Sequence, residues 1–119
     1  MPQQGVTQTL NTLGDKIMTP VVYQNRNGTE SLWADQTIIL NYPNGPTAVR
    51  WYQFNVTGGN FSATPAQQED WTNGNDGLWR WMPAIAADAN GNVAISGIRH
   101  RAAPYTPVFV MPDVSPATR

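Results

Sequence analysis

Carboxylate side chains are the groups in this sequence best suited to acid–base chemistry, but their spacing singles out no catalytic pair. Hydrolysis of a glycosidic bond needs two carboxylates on either side of the sugar, about 5 to 9 Å apart. The candidate acids are Glu30, Asp35, Glu69, Asp70, Asp76 and Asp88. No regular interval relates any two of them, so we expect no catalytic residues and regard an enzyme as a disfavoured interpretation.

The segment from Asp88 to Asn92 places oxygen donors at alternating positions, as calcium-binding loops do. An EF-hand loop that began at Asp88 would need Gly sixth and Glu twelfth, where this chain has Val93 and Arg99. The other interpretation is a β-turn in which Asp88 accepts backbone hydrogen bonds and Gly91 is left-handed. We predict the turn, and no cofactor. The metal alternative would use Asp88, Asn90 and Asn92.

Tryptophan is abundant, with five residues in 119. Aromatic rings near turns, with polar neighbours, are typical of carbohydrate sites, where the ring stacks on the sugar and polar groups bind its hydroxyls. The candidate ligand-binding residues are Trp33, Trp71, Trp79, Arg50 and Arg80. The competing interpretation is packing between sheets, and for Trp51 and Trp81, which lie within strand motifs, we predict core positions.

Composition excludes several classes of partner. Only 13% of residues are charged and the net charge is −1, so no electrostatic footprint for nucleic acid or an anionic membrane exists. The longest apolar run is a few residues, too short to span a bilayer. Absence of cysteine excludes disulfides and thiolate zinc sites. Lysine occurs once and Asn, Thr, Gly and Gln are abundant, which favours an extracellular or cell-surface location; no signal segment follows Met1.

The elements that must position these residues repeat with a period of 46. Asn27-Gly28 recurs as Asn73-Gly74, and Asn44-Gly45 recurs as Asn90-Gly91. Each pair lies between apolar runs, where Asn-Gly supplies the positive φ angles of a tight hairpin turn. The repeat divides a single β domain, 1–119, into units at about 27–72 and 73–118, with an irregular tail at 112–119.

Apolar runs between these turns predict antiparallel strands. The predicted strands are Ile17–Gln24, Glu30–Leu40, Thr47–Val56, Asn60–Thr64, Leu78–Asp88, Asn92–His100 and Tyr105–Met111. Ile17–Gln24 contains Pro20 and is expected at an edge. Two of the strands carry apolar residues on both faces, which indicates that both sides are covered. Four short strands per repeat of this length are typical of a β-propeller blade.

The stretch from Gly14 to about Ile98 resembles a repeat of secreted bacterial β-propeller proteins, distantly similar to the Asp-box sialidase propellers. The resembling motifs include Val49-Arg50-Trp51-Tyr52, Arg80-Trp81-Met82 and Ile85–Ala94. The resemblance implies a propeller fold and no common activity, and 119 residues at 46 per repeat supply two to two and a half blades. A sialidase centre would need three arginines and a tyrosine nucleophile, and the available residues are Arg50, Arg80, Arg99 and Tyr52.

Chain length then bears on function, because a propeller closes with at least about four blades. We expect a non-enzymatic structural or binding module that assembles as a homo-oligomer, favouring a trimer, or joins further blades. The alternatives are lectin-like glycan binding through Trp33, Trp71 or Trp79, and a sialidase-like hydrolase fragment.

Overall fold

The computed structural model describes residues 1–2, 7–14, 16–72 and 76–101, and the backbone of 109–115. This part of the chain is all-β, and its one helical element is a single 3₁₀ turn, Thr57–Gly59. The strands are β1 (Val22–Arg26), β2 (Thr29–Ile39), β3 (Thr47–Asn55), β4 (Gln67–Trp71), β5 (Leu78–Ala87), β6 (Val93–Arg101) and β7 (Phe109–Ser115). No helix within the described residues is long and apolar enough to cross a membrane.

The strands form two antiparallel meanders. The first sheet has the order β1-β2-β3-β4 and the second has the order β5-β6-β7, so every described pairing joins neighbours in sequence. β5 packs across β2 and β3, which brings the two sheets face to face. The prediction of antiparallel, hairpin-connected β-sheets is confirmed, and neither sheet closes on itself.

The strands predicted from the sequence differ from those of the structure in several places. The predicted strand Asn60–Thr64 is wrong, since those residues lie between the 3₁₀ turn and β4. β4 itself, Gln67–Trp71, reads as a polar segment and pairs with β3 all the same. The predicted tail is wrong over 112–115, which belongs to β7, and 116–119 lie outside the described residues. The predicted strand Tyr105–Met111 overlaps β7 from Phe109, and 105–108 also lie outside.

The Asn-Gly turns differ from one another. Asn27 and Gly28 have φ of 51° and 90° and close the two-residue β1–β2 hairpin as predicted. Gly45 has no positive φ, so that prediction is wrong. Glycine is required there for another reason, since a Cβ would lie 2.5 Å from the backbone nitrogen of Asn41. Asn73-Gly74 lies outside the described residues.

The 46-residue repeat is visible in β3 and β6, which span 47–55 and 93–101. The two strands share a burial class at every position except one, where Ala48 is buried and Ala94 is exposed. The side of each sheet that faces the other is called its inner side here. Val49 and Ile95, which are equivalent in the repeat, both lie on inner sides. The two repeats therefore pack against each other through equivalent sides of their sheets.

The core lies between the inner sides of the two sheets. It is formed by Trp33, Val49 and Trp51 from the first sheet and Ile85, Val93 and Ile95 from the second, all at most 7% exposed. Burial of such side chains from water is worth about 1.5–3 kcal/mol each. The same burial confirms the predicted core position of Trp51. Trp81 is also buried, at 9% exposed, but it pairs with Ile98 on the outer side of the second sheet.

A β-bulge in β5 sets which residues reach this core. The pairing with β6 shifts between Trp81 and Ala84, and Met82 within the bulge has φ of 49°. Beyond the bulge Ile85 pairs with Ile95, and before it Arg80 pairs with Arg99, so Arg80 and Ile85 share the inner side. The backbone nitrogen of Met82 donates to Thr37 Oγ1 at 3.1 Å, which fixes the bulge to the first sheet.

Candidate functional site

The predicted carbohydrate residues do not meet in one site. Trp33 is 1% exposed and its ring centroid lies 6.0 Å from that of Trp51, so it packs in the core and cannot stack on a sugar. Trp71 is half-buried, with the Arg80 guanidinium 5.6 Å from its ring centroid. Trp79 is half-buried on β5 and pairs with His100, on the side opposite Arg80.

Both arginines of that predicted set form ion pairs inside the fold. Arg50 lies on the outer side of the first sheet and donates to both oxygens of Asp70, at 2.6 and 2.9 Å, which raises the pKa of the guanidinium. Arg80 is 2% exposed and donates to Asp76 Oδ2 at 2.6 Å. That hydrogen bond from Arg80 lowers the pKa of Asp76.

The Asp88 segment forms the predicted turn. Asp88 Oδ1 accepts from the backbone nitrogens of Asn90 and Asn92, both at 2.8 Å, and Oδ2 accepts from Asn92 Nδ2 at 2.7 Å. The Asn92 hydrogen bonds hold the pKa of Asp88 below its usual range. Gly91 has the predicted left-handed φ, 88°. The described residues contain no group of three or more His, Cys, Asp or Glu side chains that could hold a metal ion. The alternative metal site at Asp88, Asn90 and Asn92 stays a prediction, and both carboxylate oxygens of Asp88 are used within the turn.

Asp35 is the carboxylate with the most unusual surroundings. It is 1% exposed on the inner side of β2, and burial raises its pKa. Thr19 Oγ1 donates to its Oδ1 at 2.9 Å, while Oδ2 has no hydrogen-bond partner among the described residues. Its cross-strand neighbour on β3 is Trp51, and the next residue on the same side is Glu69 on β4, so Trp51 lies between these two candidate acids.

A polar cavity of about 290 Å³ opens beside the core, and sequence reasoning did not foresee it. We call it the amide cavity, since three glutamine side chains line it. Its lining residues are Gln24, Arg26, Asn27, Thr29, Ser31, Trp33, Gln53, Gln67 and Gly91. The first eight come from the four strands and one turn of the first sheet, and Gly91 comes from the β5–β6 turn of the second.

The register of the first sheet explains how these distant residues meet. Gln24 is opposite Ser31, and Gln53 is opposite both Trp33 and Gln67, so all five lie on the inner side. Trp33 therefore lies between this polar group and its core neighbour Trp51. No sequence signal marks these positions, since polar residues such as Asn25 and Glu30 stand between them in the first two strands and lie on the other side of the sheet.

Hydrogen bonds hold the amide side chains in place. Gln53 Nε2 donates to Ser31 Oγ at 2.9 Å, and Gln67 Nε2 donates to Gln53 Oε1. Trp33 Nε1 donates to Gln24 Oε1 at 3.2 Å, while Gln24 Nε2 donates to the carbonyl oxygen of Asp88. The last bond joins Gln24 of the first sheet to the β5–β6 turn, which also contributes Gly91 to the cavity.

Comparison with protein-family models, with curated proteins and with solved structures finds no match to this chain.

Proposed function

We propose that this chain is a non-enzymatic structural module that assembles with further copies of itself through the outer side of its second sheet. The observation that carries the proposal is the unequal exposure of two repeat-equivalent residues. Ala48 on the outer side of the first sheet is 0% exposed, whereas Ala94 on the outer side of the second sheet is exposed.

The first of these outer sides has a cover within the chain. Asn11, Thr12 and Gly14, from the segment before β1, form a groove of about 580 Å³ with Gln36 and Ile38 on the outer side of β2. Ala48 is the cross-strand neighbour of Ile38, so the covered part of the sheet includes its position.

The corresponding part of the second sheet is apolar and exposed. Ala84 and Ala86 lie on the same side as Ala94, and all three are exposed. Ile98 further along this side is half-buried. Ser96 lies among them on this side, opposite Ala84, and is half-buried. Small side chains permit close approach of a second sheet, at about 10 Å, and exposed apolar side chains are typical of an interaction surface.

A further copy is the favoured occupant because the chain already packs its own sheets face to face. We propose that the two sheets act as propeller-like blades, of which at least about four are needed for a ring. The contact within the chain joins inner sides, so a contact between copies would join the exposed outer side of one second sheet to the covered outer side of the next copy's first sheet. The two kinds of contact would then alternate around a ring. Three copies would supply six sheets.

Four of the six candidate acids are engaged in local contacts, which supports a non-enzymatic role. Asp70 and Asp76 are paired with arginines, and Asp88 is satisfied within its own turn. Glu30 accepts from the Tyr23 hydroxyl at 2.5 Å and from the backbone nitrogen of Gly58. These carboxylates therefore stabilise local structure.

Size-exclusion chromatography with light scattering tests the proposal. We expect a mass that is a multiple of 13.1 kDa, three chains being favoured. Ala94→Glu should shift the mass to that of one chain, because it places a charge on the proposed contact. Ala63→Glu, at an exposed position outside the strands, is the matched control and should leave the mass unchanged. A folded wild-type monomer at high concentration would contradict the proposal.

A further inference from the structure

We propose that the amide cavity binds a single pyranose ring that carries a carboxylate, the chemistry of a hexuronate. This inference does not depend on assembly, because the cavity lies on the inner side of the first sheet and the proposed contact on the outer side of the second. It also differs from the predicted stacking on Trp33, whose ring faces are buried in the core.

Hydrogen-bonding capacity favours a ligand with several hydroxyl groups. A carboxamide has two donor hydrogens and an oxygen with two lone pairs, and a hydroxyl group can serve either kind. Gln67 uses one N–H in its bond to Gln53, which leaves its oxygen and second N–H without a described protein partner. Gln53 likewise retains one N–H after its bond to Ser31. The cavity therefore offers both donors and acceptors, as sugar hydroxyls require.

The orientation of these groups is fixed before a ligand arrives. Ser31, Gln53 and Gln67 form a continuous chain of hydrogen bonds across three strands. Gln24 is held from both ends, by Trp33 and by the carbonyl of Asp88. Binding to such an array orders few additional side chains, which lowers the entropic cost of recognition.

Charge selects among polyols. Arg26 is the only ionisable side chain in the lining, and no carboxylate among the described residues forms an ion pair with it. By contrast, Arg50 and Arg80 are both paired. A guanidinium matches the two oxygens of a carboxylate in a bidentate geometry, so Arg26 favours an acidic sugar over a neutral one.

Size limits the ligand to one ring. A volume of about 290 Å³ lies at the lower end of the range for ligand sites, about 300–1,000 Å³. None of the described residues that line the cavity is acidic, so none of them could protonate a glycosidic oxygen, and we propose binding without hydrolysis. A ligand of this size is expected to bind with a dissociation constant of the order of 1 mM.

Titration by heteronuclear NMR of the whole chain tests the inference, with D-glucuronate as the probe and D-glucose and acetate as comparisons. We expect saturable shifts for glucuronate at the amides of Arg26 and Thr29 and at the Trp33 indole N–H, the last signal being identified with Trp33→Phe. Glucose should bind about tenfold more weakly, and acetate should produce no shift at the indole.

Two adjacent glutamines on β4 provide the matched variants. Gln67 lines the cavity, whereas Gln68 pairs with Tyr52 on the outer side and is exposed. Gln67→Ala should weaken glucuronate binding about fivefold, the loss of one hydrogen bond, and Gln68→Ala should not change it. Arg26→Gln should remove the preference for glucuronate over glucose, with folding checked by circular dichroism. Equal effects at both glutamines, no saturable shift, or equal shifts with acetate would overturn the proposal.

Discussion

Gly91 lies against the guanidinium of Arg26, so close that a Cβ on Gly91 would be 2.8 Å from Nη1. The contact joins the β5–β6 turn to the end of the β1–β2 hairpin, and both residues line the amide cavity. Glycine at this position therefore meets two separate requirements: the left-handed φ of 88° and room for the arginine.

Gly91→Ala separates these two requirements when it is compared with Gly28→Ala. Gly28 has a similar φ, 90°, with open space where its Cβ would lie. Each variant should lose about 1–2 kcal/mol from the left-handed conformation. Gly91→Ala should lower the free energy of unfolding by more than Gly28→Ala does. Adding Arg26→Ala to Gly91→Ala should restore this additional loss, because it removes the side chain that the new Cβ would contact. Urea unfolding of the four proteins measures this; equal losses at the two glycines would show that Arg26 moves away freely.

Asp76→Asn should destabilise the fold because it leaves the buried charge of Arg80 without its carboxylate. The side chain of Arg80 is 2% exposed and that of Asp76 is 21% exposed. We expect a loss of about 1.5–3 kcal/mol in the free energy of unfolding. Asp70→Asn is the control, since the Arg50–Asp70 pair is far more exposed and should contribute about 1 kcal/mol or less. Similar losses would show that burial of Arg80 is unimportant.

Asp35 predicts a pH dependence of stability. Its folded pKa is raised by burial, so the folded state binds more protons than the unfolded state above the ordinary pKa, about 3.8. Stability should therefore fall as pH rises from about 4 through the raised pKa. Asp35→Asn removes the titration, and its stability relative to wild type should increase over that interval. Thermal melts between pH 3 and 8 measure the difference, and a constant offset would refute the assignment.

Trp33→Ala should cause the largest loss of stability among single core substitutions in the first sheet. The residue is 1% exposed, packs on Trp51 and anchors Gln24 through its indole nitrogen. Truncation of a buried tryptophan costs about 3–5 kcal/mol. Tyr42→Ala, at a side chain 85% exposed, should change stability by less than about 0.5 kcal/mol. Chemical denaturation of both variants provides the comparison.

Local patterns in the sequence predict most of the strands, because turn chemistry and alternation are local properties. Asn27-Gly28 and the β6 strand follow from such rules. β4 escapes prediction because its pairing with β3 depends on partners such as Arg50 for Asp70 rather than on apolar residues. Gly45 misleads because its glycine serves close approach to Asn41 and not a positive φ.

The amide cavity could not be predicted for a related reason. Gln24, Gln53 and Gln67 are separated by up to 43 positions, and only the registers of three strand pairs bring them to one side of a sheet. Nothing in a glutamine's local sequence distinguishes an inner position from an outer one, as Gln67 and Gln68 show. The tryptophans were a more visible sign of a binding site in the sequence than the glutamines, but the ring of Trp33 is buried in the core.

The bulge at Met82 changes which positions of β5 point to the inner side. Side chains alternate strictly along a strand, so a single additional residue exchanges the two sides for everything beyond it. Arg80 and Ile85 point the same way although an odd number of positions separates them. Deleting Met82 would leave four positions between them, so a regular strand would still turn both side chains inward, while the hydrogen bond from Met82 to Thr37 would be lost. The bulge is therefore the adjustment by which a strand with one surplus residue keeps Arg80 and Ile85 on a single inner side.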